Sequence, residues 1–316
     1  MAFPVTSSSY DANRIELSVV VISFNMRREI PRTLRSLSAS YQKTIGREQY
    51  EVILVDNGSA QPWIHEELAG IDVNLKIVNR EENATPSPAR AINRGLQQAR
   101  GELVGVMIDG ARMVTPGLLD ACRSAARIYP RALLSTLGFH LGRKPQFIAV
   151  PKGYTQEVED RLLESIAWPD DGYRLFEIAV FAASFRKGWF LPVSEFNALF
   201  MSRGLRKELG GYDERFVSAG GGLVNLDTYG RAVALPDIRL VSILGEGSFH
   251  QVHGGIATNS PSPPGEEWHA EYRRIRGCDY RDTTMLPVVF GSLPRPALAH
   301  VACSLQSAGQ ELGEPR

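Results

Sequence analysis

Two stretches, Glu51–Ala60 (EVILVDNGSA) and Gly101–Arg112 (GELVGVMIDGAR), each drive an apolar run into one aspartate and then turn on glycine. Both runs have the continuous apolar pattern of a strand covered on its two faces. Leu17–Asn25 (LSVVVISFN) has the same character and ends on Asn25. Segments of helical spacing lie between these runs. Ile30, Leu34 and Leu37 follow the first, and a short piece around PWIHEELAG (62–70) follows the second. SPARAINRGLQQARG (87–101) is an amphipathic helix expected to close at Gly101, and VNLKIVN (73–79) is a further strand. Strands alternating with helices predict an α/β fold: a mostly parallel central sheet with helices on both faces. In such sheets ligands sit beyond the carboxyl ends of the strands, where strand order reverses. Asn25, Asp56 and Asp109 stand at three such ends and are expected to share one crevice.

The chain has 316 residues, is 43% hydrophobic and carries 35 basic against 35 acidic residues. That supports one large core or two small ones, and the balanced charge offers no footprint for nucleic acid or an anionic membrane surface. Cys122, Cys278 and Cys303 are few and far apart, which fits a reducing compartment and neither a disulfide framework nor a metal cluster. The opening MAFPVTSSSYDANR lacks the basic-then-apolar pattern of a signal peptide. The best candidate membrane span, MLPVVFGSLPRPALAHVACSL, is broken by three prolines and an arginine. The expectation is a cytoplasmic protein without a transmembrane segment, with residues 1–16 a flexible N-terminus.

The usual phosphate cradles are missing. No G-x-G-x-x-G follows the first strand, which ends SFNMRRE, and no Gly-rich loop leads into Lys-Ser or Lys-Thr. Carboxylates at strand ends instead suit gripping a base or ribose, or holding a divalent cation against a diphosphate.

Four stretches together resemble the landmarks of family 2 glycosyltransferases with the GT-A fold: SVVVISFNM, EVILVDNGSA, AINRGLQQARGELVGVMIDGA and NALFMSRGLRKELGGYDERF. They fall in the family's order and spacing between Leu17 and His253. The resemblance implies transfer of a sugar from a nucleotide diphosphate sugar, UDP by default, to a hydroxyl acceptor in polysaccharide or glycoconjugate assembly. It implies a GT-A domain over 17–255, with 17–112 the nucleotide-binding half and 113–255 the acceptor half. Ser23, Asn25 and Asp56 would line the nucleotide pocket, and Asp109 would be the first aspartate of the metal motif. Arg90 and Arg94 are candidates for the diphosphate, although a solvated helix face explains them equally well.

The departures from the pattern matter as much. The family's Asp-x-Asp reads Asp109-Gly110-Ala111 here, so the second carboxylate is gone. Arg112 follows, and an arginine there suits a phosphate through a charge-assisted fork. The resemblance offers His250 or His253, in GEGSFHQVHGG, as further metal ligands; imidazole donors favour Mn2+ over Mg2+. The alternative is that the histidines only hydrogen-bond in a glycine-rich loop.

The expected Glu-Asp catalytic step is also absent from SAGGGLVNLDTYGRA (218–232): Leu223-Val224 or Val224-Asn225 stands there, depending on the anchor. Three readings are open. Asp227 acts as base from a shifted position, Glu195 does so from the acceptor wall, or the departing phosphate takes the proton in a retaining reaction. Asp227 reads equally as a helix cap. The lost carboxylates also admit a non-catalytic nucleotide-sugar-binding relative acting as a scaffold or partner subunit. Gly220–Gly222 suggests a lid over the bound donor. The aromatics of Trp168–Phe190 read mostly as core. Residues 256–316 read as a C-terminal extension, beginning with a linker and a helix at EEWHAEYRRIRG, that pairs subunits, docks on the domain or meets the acceptor.

Overall fold

A computed structural model describes residues 14–78, 84–256, 258–260 and 263–313. In chain order the elements are β1 (Leu17–Ser23), α1 (Ile30–Ser36), β2 (Tyr50–Asp56), α2 (His65–Leu68), β3 (Leu75–Val78), α3 (Ala89–Gln98), β4 (Leu103–Met107) and β5 (Arg112–Val114). Then come α4 (Leu118–Ile128), β6 (Ala132–Leu141), α5 (Gln146–Ala149), α6 (Gln156–Ser165), β7 (Ala179–Phe181), β8 (Ala198–Ser202) and α7 (Arg203–Leu209). The chain continues through α8 (Val224–Val233), β9 (Arg239–His250), α9 (Gly265–Arg276), β10 (Val288–Gly291) and α10 (Leu298–Gly313). Most of residues 1–16, expected as a flexible N-terminus, lie outside the described residues.

One sheet runs in the order β10-β9-β6-β8-β4-β1-β2-β3, with β5 on β9 and β7 on β6. The run β4-β1-β2-β3 is parallel throughout, as the alternation of strands and helices predicts. Strand order reverses at β1, which pairs β2 on one side and β4 on the other, and in sheets of this kind ligands sit beyond the strand ends at such a point. β8 runs antiparallel between β4 and β6 and makes the whole sheet mixed.

The apolar runs are strands because both faces are covered. All seven residues of β1 are buried. Val19 and Val21 join a core under α1 and α4, while Val20 and Ile22 join another under α3. A third core fills the second half, where Phe176, Phe185 and Trp189 pack with Phe139 and Phe249. The aromatic stretch is therefore mostly interior.

Local chemistry sets the ends. Ser202 caps α7 by accepting from Leu205 N at 3.2 Å, and Gly210 closes it at φ 78°. Gly101 has a different role from the helix stop expected of it. α3 ends at Gln98, and a Cβ on Gly101 would lie 2.5 Å from Ser18 N, so glycine lets the chain pass against β1.

The residues expected as a C-terminal extension join the sheet and the third core. β10 pairs in parallel with β9, Val288 opposite Val241, and Ala297 and Val301 enter the third core. The sequence hides this because β10 has four residues and α10 mixes small and polar side chains. Among the described residues no helix is long and apolar enough to cross a membrane.

Candidate functional site

Ser23 and Asp56 are register partners at the ends of β1 and β2. Asp56 Oδ1 accepts from Ser59 N at 3.1 Å and from Ser59 Oγ at 2.5 Å. Ser59 Oγ in turn accepts from Asn25 N at 2.8 Å, and Asn25 Oδ1 accepts from Ala60 N at 2.9 Å. Asn25 sits at φ 54°, a left-handed conformation that asparagine tolerates. The Asp-Asn-Gly-Ser turn and the end of β1 thus form one clasp. Ser23 Oγ is buried beside it with no hydrogen-bond partner.

Asp109 stands past the end of β4, with Oδ1 accepting from Ala111 N at 2.9 Å. Its Oδ2 lies 2.8 Å from His250 Nε2 and 3.5 Å from His253 Nε2. The two Nε2 atoms are 3.2 Å apart, and Thr258 Oγ1 is 3.5 Å from that of His250. Asp109, His250 and His253 form a metal-capable trio whose ligand atoms all lie within 4.8 Å of one another. Burial works against the Asp109 carboxylate, yet His253 and His250 hold it well below the usual carboxylate range. Burial pushes His250 down to about 4 despite Asp109. Burial lowers His253 as well, but Asp109 and Glu29 more than reverse this and leave it raised. The nearer imidazole is the less basic one because its complete burial outweighs the shorter distance.

Arg112 lies across from His250 in the β5–β9 register and is 3% exposed. Its Nε and Nη1 are buried without a partner. Burial lowers its pKa below the ordinary value, against the Asp109 and Glu195 charges. A buried guanidinium with idle donors is costly, and a water, an ion or a ligand can supply the missing acceptors. Ala111 is fully buried and offers no ligand atom.

The other candidates are placed differently. Arg90 is exposed on α3, with Nε 3.5 Å from Glu214 Oε2. Glu195 is partly buried and accepts from Ser184 Oγ at 2.5 Å. Asp227 is 2% exposed in the first turn of α8, but it is no cap: its carboxylate faces Arg231 and Arg276. Gly220 donates its N–H to Pro86 O at 3.2 Å, so the glycine triplet expected as a lid is tied to the segment before α3.

Several residues escaped the sequence reading. Asn93, in the AINRG stretch of α3, accepts from Tyr212 N at 3.0 Å and donates to Tyr212 O at 2.8 Å, joining that helix to the GGYDE segment at 210–214. Gln146, fully buried in α5, contacts both His140 and His250. Buried carboxylates Glu159 and Glu246 are each pushed up to about 7 by burial. Glu246 alone left a signal, as a charge between glycines inside the apolar run of β9.

Residues 18–110 match the family model described as glycosyl transferase family 2. No curated protein sequence matches the chain. Among solved structures, S. aureus TarS 1-349 in complex with UDP-GlcNAc is similar over 83% of this chain and 65% of its own, at 18% identity and a TM-score of 0.52. S. aureus TarS is similar over 75% of this chain and 37% of its own, at 18% identity and a TM-score of 0.49. The mannosyltransferase PcManGT from Pyrobaculum calidifontis, in complex with GDP-Man and Mn2+, is similar over 96% of this chain and 77% of its own, at 16% identity and a TM-score of 0.47. The chain spans 37% of the longer TarS structure and 65% of the shorter one. Residues 18–110 thus carry the similarity to family 2 glycosyltransferases, and the chain's mixed α/β sheet has the GT-A fold.

Proposed function

We propose that this protein transfers a sugar from a nucleotide diphosphate sugar to a hydroxyl acceptor, with Asp109, His250 and His253 holding a divalent cation. The observation that carries the reading is the meeting of three metal-capable atoms beside a buried arginine, Arg112, two of whose nitrogens have no protein partner. Asp56, Ser23 and Asn25 fit the nucleoside end, where Ser23 Oγ has an unfilled hydrogen bond. Arg112 fits the diphosphate end, its idle N–H groups suited to phosphate oxygens. One carboxylate and two imidazoles favour Mn2+ over Mg2+. When bound, the cation supplies charge neutralisation for the leaving diphosphate. UDP is the first nucleotide to try, because the TarS structure with a TM-score of 0.52 is a UDP-GlcNAc complex.

For the acceptor's proton, Asp227 is set aside because its oxygens are already taken by guanidinium donors. Glu195 is the better candidate, since besides Asp109 it is the carboxylate whose charge reaches Arg112. A second reading, nucleotide-sugar binding without turnover, is favoured by the buried Ala111 in place of a second metal carboxylate.

The test is calorimetric titration with UDP and GDP, with and without Mn2+, on wild type and Asp109→Ala, followed by a donor panel. Nucleotide binding that needs Mn2+ and disappears in Asp109→Ala is the expected result. Binding with no transfer to any acceptor would favour the scaffold reading, and no binding under any condition would overturn both.

A further inference from the structure

We infer that Gln146 is the positioning residue that dictates which nitrogen of His250 faces the cation; this rests on reading Asp109, His250 and His253 as a cation site. The hydrogen bonds around Gln146 run in one direction only. Asn259 Oδ1 accepts from the backbone N–H groups of Gly254 and Gly255, both at 2.9 Å, and of His253 at 3.4 Å. Backbone N–H groups can only donate, so the Asn259 amide cannot be turned over, and its Nδ2 must donate to Gln146 Oε1 at 3.1 Å. Gln146 Nε2 donates to the backbone carbonyl of His250 at 2.9 Å, which can only accept. Gln146 Oε1 is thereby fixed as an acceptor 2.6 Å from His250 Nδ1. That nitrogen must carry the hydrogen.

A neutral imidazole protonated on Nδ1 has its lone pair on Nε2. Nε2 is the atom 2.8 Å from Asp109 Oδ2 and 3.2 Å from His253 Nε2. Electron-rich atoms at such distances need a shared proton or a cation between them, and Gln146 points this lone pair at that spot. Gln146 is itself held firmly: it is fully buried, and its backbone N–H donates to His140 Nδ1 at 2.8 Å. Asn259 extends the same restraint to the second imidazole by gathering the N–H groups of the turn that presents His253. A hydrogen bond to the far nitrogen of a ligating histidine commonly changes metal affinity about 10- to 100-fold.

Two readouts test this. In metal-free, 15N-histidine-labelled protein at neutral to alkaline pH, long-range proton–nitrogen spectra should show His250, assigned by its loss in His250→Asn, as the Nδ1–H tautomer. An Nε2–H tautomer would overturn the inference. In Mn2+ titrations followed by electron paramagnetic resonance, Gln146→Leu should weaken binding about 10- to 100-fold. Gln146→Glu keeps the acceptor facing Nδ1 and, with its carboxyl protonated, a donor facing the His250 carbonyl, so it should retain more Mn2+ affinity than Gln146→Leu. Wild-type affinity in Gln146→Leu, with binding lost in Asp109→Ala, would overturn the role of Gln146 and leave the cation site standing. Wild-type affinity in Asp109→Ala would overturn the cation site and this inference with it.

Discussion

Arg276 closes on Asp227 with two nitrogens, Nε 2.5 Å from Oδ1 and Nη2 2.7 Å from Oδ2, while Arg231 Nε takes Oδ2 at 2.8 Å. Arg276 also reaches Asp213 at 2.8 Å, so one guanidinium from α9 ties two carboxylates of the preceding segments together. Both oxygens of Asp227 are engaged and neither is free for an acceptor proton. Asp227→Ala should therefore cost about 3 kcal/mol of stability by leaving charges unpaired. Turnover per folded molecule should hold, measured as kcat beside thermal denaturation. A catalytic base would instead show a loss of roughly a hundred- to ten-thousand-fold.

Arg112 predicts stability and binding moving in opposite directions. Its Nε and Nη1 are buried with no acceptor. Arg112→Met removes that buried guanidinium and its idle donors from the interior and should stabilise the protein by about 1–2 kcal/mol. The same change should weaken UDP binding at least about tenfold, near 1.4 kcal/mol, by removing the charged fork from the diphosphate. Denaturant titration and calorimetry on one preparation decide it. A variant destabilised yet unchanged in UDP affinity would make Arg112 purely structural.

Glu246 gives a pH signature. Burial raises its carboxyl from 4.5 to about 7, with Thr115, Tyr173 and Gly117 only partly opposing. Between those two values the folded chain keeps a proton that the unfolded chain has released. Stability therefore falls as pH rises through that window, by about 3 kcal/mol in total. Glu246→Gln removes the proton but can keep both hydrogen bonds, donating to Tyr173 Oη and accepting from Gly117 N, which now lie 2.8 and 3.2 Å from the carboxylate. Its advantage over wild type should be near zero below pH 4.5 and full above about 7. Urea unfolding across that range reads the difference, and a flat difference refutes it.

Gly95 tests a motif by packing alone. A Cβ there would lie 2.5 Å from Val20 Cγ1 and 3.0 Å from Val55 Cγ2, both in the core between α3 and the sheet. Gly95→Ala should destabilise by about 1–3 kcal/mol through overpacking, despite alanine's better helix propensity. Thermal unfolding gives the sign, and a stabilised variant would show that α3 can shift away from β1.

What the sequence reveals depends on distance along the chain. β1, β2 and β4 are legible because apolar residues covered on two faces leave an unbroken run, and Asp56 and Asp109 are legible because a carboxylate ending such a run stands out. His250 and His253 were reachable through the family resemblance. Gln146 was not, because its role depends on His250 and Asn259, 104 and 113 residues away. Asp227 looked free for chemistry because its partner Arg276 arrives from a helix 49 residues later. Arg231, four residues on, is visible in the sequence, and the second guanidinium, Arg276, is not.

The parallel seating of Val288–Gly291 on β9 has a practical consequence. A truncated protein ending near residue 255 would retain β9 but strip the partner from Val241–Leu244. Bare backbone donors and acceptors on an apolar strand invite pairing with another copy, the usual route to aggregates. The C-terminal segment is thus a guard on an edge, and a shortened protein that precipitates would be reporting that exposure rather than a failure of the β1–β4 half to fold.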